Sequence, residues 1–360
     1  MSGRPDLDAQ VLDAMGTKVP GVALIVVGPE GVRARSAVGS ADLASGAPMR
    51  TDLAIPWFSM TKIATATVAM RLVERGALDL DGPVLPLVAA VETLRPAEWA
   101  ARITVRHLLQ HASGLANPIP VGWIHPVDQP APDPDAFLSG LLRKHAKLRF
   151  EPGTRSSYSN IGTLVLGAAL GAVVGRPYID VAGAEVLQPV GMSHTGFTFG
   201  ADVDAATGYH PRWSPMRLLL PRWVTGPSVG RWMSFHRFVL DGAAYGGLIG
   251  TADDAARFLQ LHLRDGELDG TRLLTEQSAR SMRDITLAGR RFDLGLGWFR
   301  PADQRKADPP SVEHLGGGAG FFNVIRLYPS EGVGAVVMGN ATKYDIDAVA
   351  RLALAFRNPT

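Results

Sequence analysis

Hydrophobic residues first form a short continuous block and then a longer helical one. Residues 21–27 are apolar and have the length of a buried strand, the next four, Gly-Pro-Glu-Gly, are typical of a turn, and 32–39 read as a returning strand. The pattern therefore predicts an opening β-hairpin. Residues 59–75 are apolar on nearly every side of a helix, which is typical of a helix buried in the core.

The middle and the end of the chain differ in pattern. Residues 77 to about 245 look mainly helical, with a proline-rich surface excursion at 117–134. Strands are predicted at 295–300, 312–315, 321–328 and 333–338. Besides 59–75, helices are predicted at 5–16, 103–111, 135–148, 161–174, 178–187, 252–264, 275–284 and 345–356.

This order of elements predicts an α+β fold in which one antiparallel sheet is built from both ends of the chain and flanked by helices. We expect a single domain over residues 1–360. Its sheet part would comprise 1–76 plus 245–360, and a mainly helical subdomain would occupy 77–244.

Residues 209–240 stand apart because they carry five arginines and no acidic residue, interleaved with three tryptophans. The arginines are Arg212, Arg217, Arg222, Arg231 and Arg237. We interpret this irregular stretch as an insertion that forms a lid or wall of a substrate pocket, which makes Trp213, Trp223 and Trp232 candidate substrate-binding residues. The alternatives are solvated arginines beside packed tryptophans, or a surface that docks on a membrane or an acidic partner.

Composition excludes several classes of function. With 360 residues, 46% of them hydrophobic, the chain can bury a large core, and a net charge of +2 is too small to indicate binding of nucleic acid. The absence of cysteine excludes disulfides, thiolate metal sites and a cysteine nucleophile. Nine histidines are scattered without an H-E-x-x-H spacing, so neither a metal nor a cofactor is expected.

Two stretches bear on location. The first 20 residues contain three aspartates and no apolar segment of the kind found in secretory signals. The longest uncharged apolar run, 161–175, is shorter than the roughly 20 residues of a membrane span. We therefore expect a cytoplasmic protein without a transmembrane segment; the sequence does not indicate its oligomeric state.

Catalytic chemistry is first suggested at Ser59 and Lys62. A serine followed three residues later by lysine on the first turn of a helix places hydroxyl and amine on one face. An amine in that position can take the proton of the hydroxyl and make it a nucleophile. The alternative is that Ser59 only caps the helix and Lys62 is a surface lysine.

Two later motifs add candidates. Tyr158-Ser-Asn160 precedes a helix and offers a phenol that can carry protons and an amide that can hold lysine or substrate, although an aromatic core residue and a helix cap are the simpler reading. The segment from His314 to Gly320 is rich in glycine, so its strand can approach a substrate and offer a backbone N–H to an oxyanion. A turn between two strands is the alternative.

A G-x-S-x-G pattern at 226–230 imitates the nucleophile elbow of α/β-hydrolases. That elbow needs a buried strand before the serine and a helix after it, whereas Ser228 follows Pro227 and is flanked by arginine and tryptophan. We therefore reject Ser228 as the nucleophile.

Taken together, Ser59-x-x-Lys62, Tyr158-x-Asn160 and His314-x-Gly316 keep the order of the three motifs of serine β-lactamases. The chain resembles the serine β-lactamase-like superfamily, and within it class C β-lactamases, D-alanyl-D-alanine carboxypeptidases and family VIII esterases. Connecting phrases fit as well: residues 111–115, 151–154, 187–193 and 295–298.

The resemblance implies a β-lactamase/transpeptidase-like fold and a role for each matching residue. Ser59 would be the nucleophile, Lys62 would assist its deprotonation, and Tyr158 would relay protons. Asn160 would position lysine and substrate. The backbone N–H groups of Ser59 and Gly317 would form the oxyanion hole, with His314 and Gly316 lining the substrate site.

One departure affects the expected substrate. Lactamases and peptidases usually have lysine where this chain has His314, and Leu315 replaces a hydroxyl residue that helps to bind a substrate carboxylate. Histidine is mostly neutral at pH 7, which favours a neutral ester. We therefore predict an acyl-serine hydrolase acting on small esters, a carboxylesterase. The alternatives are a β-lactamase or D-Ala-D-Ala peptidase, and a non-catalytic binding protein with this fold.

Overall fold

The computed structural model describes residues 6–215 and 220–357. Its strands, in chain order, are β1 (Gly21–Gly28), β2 (Gly31–Gly39), β3 (Ile55–Pro56), β4 (Ile124–Pro126), β5 (Tyr209–Pro211), β6 (Thr225–Val229), β7 (Trp232–Phe235), β8 (Phe238–Leu240), β9 (Ile249–Gly250), β10 (Glu267–Leu268), β11 (Thr271–Arg272), β12 (Phe292–Leu294), β13 (Phe299–Pro301), β14 (Val312–Gly318), β15 (Phe321–Tyr328) and β16 (Val333–Gly339).

Seven of these strands form one antiparallel sheet in the order β12-β13-β14-β15-β16-β1-β2. The opening hairpin β1–β2 therefore joins strands that begin only at Phe292, through pairs such as Val22 with Gly339. The prediction of an α+β fold with an antiparallel sheet from both chain ends is confirmed.

The helices are α1 (Leu7–Met15), α2 (Thr61–Glu74), α3 (Ala97–Ala100), α4 (Val105–Leu109), α5 (Pro134–Lys144), α6 (Asn160–Val174), α7 (Tyr178–Ala182), α8 (Gln188–Val190), α9 (Ala243–Gly246), α10 (Ala252–Leu263), α11 (Glu276–Arg283) and α12 (Ile346–Arg351). A 3-10 turn, Phe58–Met60, leads into α2, and another, Leu352–Phe356, follows α12. A π-helical turn, Gly183–Leu187, joins α7 to α8. Helices α1 and α12 cover one face of the large sheet, and α10 covers the other.

The central strand β1 contributes to two hydrophobic cores. All eight of its residues are buried. Successive side chains point to opposite faces of a sheet, so a strand covered on both faces is apolar at every position. Alternate residues accordingly belong to different clusters: Ala23, Ile25 and Val27 to the larger, and Val22, Leu24 and Val26 to the smaller.

Helix α2 is enclosed by other elements, as its sequence predicts. Eleven of its fourteen residues are buried, and it packs against α6, α7, α9 and α11. Four of the buried residues are polar: Thr61, Lys62, Thr65 and Thr67. A buried helix with polar side chains at its start can hold a reactive group in a fixed orientation.

Several boundaries differ from the prediction. Of the strand predicted at 295–300, only residues 299 and 300 form a strand; residues 295–298, with Gly297 at φ +92°, make the turn between β12 and β13. The closing helix is α-helical only to Arg351, and α5 ends at Lys144 rather than 148. Helix α1 spans residues 7–15 of the predicted 5–16; Pro5 lies outside the described residues.

The expectation that 209–240 is irregular is wrong. A three-stranded sheet, β5-β7-β6, forms there, and the next strand, β8, pairs with β4 from the proline-rich excursion. Pairing between β6 and β7 shifts register around Gly226 and Pro227, where proline has no N–H to donate to the ladder. That irregularity obscured the strand pattern. Residues 216–219, Arg217 among them, lie outside the described ranges.

Within residues 6–215 and 220–357 no single helix has the length and apolar composition of a membrane span; helices Asn160–Val174 and Tyr178–Val190, bent by 79°, meet both criteria only as a pair.

Candidate active site

Ser59 lies in the 3-10 turn that leads into α2. The preceding Phe58 has a left-handed φ of +49°, a conformation that non-glycine residues seldom adopt. Strand β14 passes directly against this turn: a Cβ at Gly316 would lie 2.0 Å from the Trp57 carbonyl oxygen, and one at Gly318 would lie 2.1 Å from the Phe58 ring. Glycine at both positions is thus what allows the strand to approach the serine turn.

Lys62 is 4% exposed and lies one helical turn after Ser59. Its Nζ is 3.2 Å from Ser59 Oγ, 2.9 Å from Asn160 Oδ1 and 2.6 Å from the Tyr245 carbonyl oxygen. Burial lowers the pKa of Lys62 well below its usual value, since the charged form loses its hydration. A neutral amine beside the serine hydroxyl can accept its proton.

Tyr158 lies between the lysine and two histidines. Lys62 Nζ is 4.9 Å from the centroid of the Tyr158 ring, and the ring centroids of His111 and His314 lie at 4.4 and 6.3 Å. Burial raises the pKa of Tyr158 above its usual value of 10, while the hydrogen bond with Ser59 acts in the opposite direction. The phenol is therefore protonated at neutral pH and can act as a proton donor.

Asn160 is the first residue of α6, and Ser159 caps that helix by accepting from the Gly162 N–H. The Asn160 side chain accepts from Lys62, and its backbone N–H donates to Asn117 Oδ1 at 3.0 Å. The start of α6 thus holds the lysine that the start of α2 presents to Ser59.

His314 is buried on β14 at 2% exposure. Its Nδ1 lies 2.8 Å from the Leu315 carbonyl oxygen, and its ring centroid is 4.6 Å from that of Phe299. Burial first, and then the charge of Lys62, lower the pKa of His314 well below its usual value. The side chain at this position is therefore neutral at pH 7.

The remaining candidates lie further along the same strand and on the small sheet. Gly317 pairs with Phe322 of β15, and its role in an oxyanion hole stays a prediction. Trp213 is 81% exposed with the Arg212 guanidinium 4.5 Å from its ring, Trp223 is 38% exposed, and Trp232 packs against the smaller core. Their role in substrate binding also stays a prediction.

Some residues of the site could not be assigned a role from the sequence alone. His111 was visible only as part of a connecting phrase. Tyr245 contributes a backbone carbonyl, and no side-chain motif encodes such an acceptor. Two aromatic residues pack against neighbours of the site: the ring centroid of Phe238 is 6.3 Å from that of Phe58, and the ring centroid of Trp123 is 5.7 Å from that of Tyr245.

Known proteins are similar to this chain over nearly its whole length. The family model described as Beta-lactamase matches residues 7–357. Protein Rv1367c of Mycobacterium tuberculosis is 34% identical over 329 residues, which cover 81% of this chain and 76% of that protein.

Two further relatives have names that describe an activity. The D-alanyl-D-alanine-carboxypeptidase/endopeptidase AmpH of Escherichia coli is 25% identical, with 90% of this chain and 80% of AmpH covered. Esterase EstB of Burkholderia gladioli is 28% identical, with 83% and 79% covered.

Solved structures show the same fold. The octameric penicillin-binding protein homologue from Pyrococcus abyssi aligns with a TM-score of 0.77 at 24% identity over 97% of this chain and 76% of that one. EstCE1, a hydrolase with promiscuous acyltransferase activity, aligns with a TM-score of 0.72 at 24% identity, covering 97% and 95%. The fold is therefore β-lactamase/transpeptidase-like. With the family model matching nearly end to end, the chain belongs to the β-lactamase family and is a serine hydrolase of that family.

Proposed function

We propose that the protein is a carboxylesterase that forms an acyl-enzyme on Ser59 and acts on small, neutral esters. The observation that carries the proposal is the contact of Ser59 Oγ with Lys62 Nζ, 3.2 Å away, on a lysine whose pKa burial lowers. A nucleophile within hydrogen-bond reach of its base, and a base held by further groups, is the arrangement that acyl transfer requires.

In the acylation step, the neutral Lys62 amine takes the proton of Ser59 Oγ as the oxygen attacks the ester carbon. Asn160 Oδ1 and the Tyr245 carbonyl accept hydrogen bonds from Lys62 and so stabilise the ammonium that forms. The backbone N–H groups of Ser59 and Gly317 are the proposed donors to the oxyanion. One such donor is typically worth about 10²–10³-fold in rate.

Collapse of the tetrahedral intermediate breaks the bond to the leaving alkoxide, which takes a proton from the Tyr158 hydroxyl. Tyr158 recovers a proton from the Lys62 ammonium, so that the amine is again neutral. In deacylation a water molecule replaces the alcohol and the proton transfers run in reverse order. The raised pKa of Tyr158 supports this division of roles, because a phenol that stays protonated is an acid rather than the first base.

The proposed substrate class rests on His314. A substrate carboxylate would favour a cation at this part of the strand, whereas His314 is buried and neutral, and the next side chain, Leu315, is apolar and packs against the smaller core. The name of esterase EstB, one of the relatives, is consistent with this proposal. The rival proposal, a β-lactamase or D-alanyl-D-alanine peptidase, is supported by the relationship to AmpH.

Parallel assays separate these proposals. We expect the wild-type protein to hydrolyse p-nitrophenyl acetate or butyrate with a kcat/KM at least about tenfold above that for a chromogenic cephalosporin, and Ser59→Ala to abolish both activities. Preferential, Ser59-dependent turnover of the cephalosporin would establish the rival instead.

A fluorophosphonate probe tests the third alternative, a binding protein without catalysis. We expect one label per chain, on Ser59, because the probe reacts with activated serine hydroxyls. A folded wild-type chain that takes up no label at Ser59 would show that the site is inactive and remove the esterase proposal.

A further inference from the structure

His111 has a backbone conformation that needs an explanation. It follows α4 and has a left-handed φ of +51°, a conformation that costs energy for a non-glycine residue and is maintained where surrounding contacts favour it. The residue is 6% exposed. Its sequence context, His-Ala-Ser-Gly-Leu, has no place in the reaction described above.

The contacts of His111 converge on a single neighbour, Tyr158. The His111 carbonyl oxygen accepts from the Ser157 N–H at 2.8 Å, and its Nδ1 accepts from the Ser159 N–H at 3.3 Å. Backbone and side chain of one residue thus bind the N–H groups of the two residues that precede and follow the tyrosine. The His111 ring lies against the Tyr158 ring, with centroids 4.4 Å apart and planes at 41°.

The surroundings of His111 determine which of its ring nitrogens carries the proton and whether the ring is charged. Because Nδ1 accepts from a backbone N–H, the neutral ring carries its proton on Nε2. Burial, followed by the nearby charge of Lys62, lowers the pKa of His111 to about 3. The ring therefore stays an acceptor towards Ser159 throughout the neutral range.

We propose that His111 is the positioning residue of Tyr158, holding the phenol in the orientation in which it donates a proton to the leaving alkoxide. The inference rests on the proposed esterase mechanism, in which that donation occurs. His111 itself does not exchange protons with the substrate. It acts through the backbone N–H groups of Ser157 and Ser159, the neighbours of the tyrosine, and through contact with the tyrosine ring.

The leaving group provides the test. An alkyl ester releases a strongly basic alkoxide that needs the proton of Tyr158, whereas p-nitrophenolate is stable without it. Release of the alcohol belongs to acylation, which kcat/KM reports without the later deacylation step. A loss of phenol positioning should therefore reduce kcat/KM for an ethyl ester by about 10²-fold or more, within the usual range of general acid catalysis, and kcat/KM for the p-nitrophenyl ester by less than about tenfold.

The variants are His111→Gly, which permits the left-handed backbone but removes the ring and Nδ1, and His111→Asn. Asparagine tolerates the same backbone and offers an amide oxygen to the Ser159 N–H. We expect His111→Asn to recover part of the ethyl ester rate. In a Tyr158→Phe background His111→Gly should cause no further loss, since the group that it positions is gone.

Equal losses for both esters, or a full additional loss in the Tyr158→Phe background, would overturn the inference. Labelling of wild-type Ser59 with the fluorophosphonate keeps this outcome separate from failure of the esterase mechanism. If the wild-type chain labels and turns over esters without the leaving-group effect in the variants, only the role of His111 is refuted. If the wild-type chain neither labels nor turns over esters, both proposals are refuted.

Discussion

The surroundings of Ser59 and the small sheet β5-β7-β6 differ in where their charged and polar side chains find their partners. Around Ser59 the side chains of Lys62, Asn160 and His314 are buried. Lys62 hydrogen-bonds to groups far away in sequence, since Asn160 and Tyr245 are 98 and 183 residues further on. In the turns of the small sheet two arginines stack on their own neighbours: Arg212 on Trp213 and Arg231 on Trp232.

This difference affects how each region responds to substitution. A buried group with several distant partners cannot be replaced without leaving one of them unsatisfied, which is expensive in a low-dielectric interior. An exposed arginine over an adjacent tryptophan has water as an alternative partner. We therefore expect chemistry to depend on the first region and at most substrate preference to depend on the second.

The largest effect is expected for the nucleophile. Ser59→Ala should reduce kcat/KM for p-nitrophenyl butyrate by about 10⁴-fold or more, because the attacking oxygen is removed. The matched control is Ser228→Ala, since Ser228 is an exposed serine of the small sheet within the G-x-S-x-G pattern. It should leave the rate within twofold. A large loss of kcat/KM in Ser228→Ala would contradict the expectation that the chemistry depends on the surroundings of Ser59 and not on the small sheet.

A smaller effect concerns the pH dependence of stability. His262 is fully buried, its Nε2 is 3.2 Å from Thr67 Oγ1, and burial, with the nearby charge of Arg283, lowers its pKa to about 3. The unfolded chain binds a proton near pH 6.5, so this histidine makes the free energy of unfolding fall as pH falls from 6.5 towards 3. Its contribution between pH 6.5 and 4.5 should be about 2 kcal/mol.

His262→Gln retains an amide for Thr67 and removes the titration. Thermal unfolding of this variant should therefore show a shallower decline of Tm between pH 6.5 and 4.5 than the wild type does. The exposed Arg231 on the small sheet provides the control, and Arg231→Gln should keep the wild-type slope. If Tm declines equally steeply between pH 6.5 and 4.5 in His262→Gln and in the wild type, His262 must become charged in the folded state over the same pH range as in the unfolded chain.

The smallest effect is expected on the small sheet. Trp213→Ala and Trp223→Ala should shift the ratio of octanoyl to acetyl ester hydrolysis by about two- to fivefold and leave the acetyl rate within twofold. Because Trp213 is 81% exposed, stability should change by less than about 0.5 kcal/mol. Selectivity that stays the same across ester lengths in the double variant would remove the lid interpretation of this sheet.

The difference between local and distant contacts also explains which features of the fold and of the site could be predicted from the sequence. The pairing of Ser59 with Lys62 was predictable because helical spacing is a local rule, and Lys62 does lie 3.2 Å from the serine oxygen. The two-sided cover of β1 could be inferred from its unbroken apolar run. Both features follow from the order of polar and apolar residues within one short segment of the sequence.

Other features depend on contacts that no short stretch displays. The Tyr245 carbonyl that holds Lys62 is a backbone group, so the residue type at 245 gives no sign of it. The strands of 209–240 were hidden because Gly226 and Pro227 break the alternation within β6. His111 could be recognised as part of a family phrase, but its contacts with Ser157 and Ser159 required the folded backbone.

The pairing of β1 with β16 also has a consequence for the time course of synthesis. Val22 pairs with Gly339, so the ribosome must make more than 300 further residues before the first strand can meet its partner. Until then β1, which is apolar on both faces, has only β2 beside it, and exposed apolar strands of this kind aggregate readily. The nascent chain is expected to need chaperone protection, and Ser59 gains β14 as a neighbour only near the end of translation.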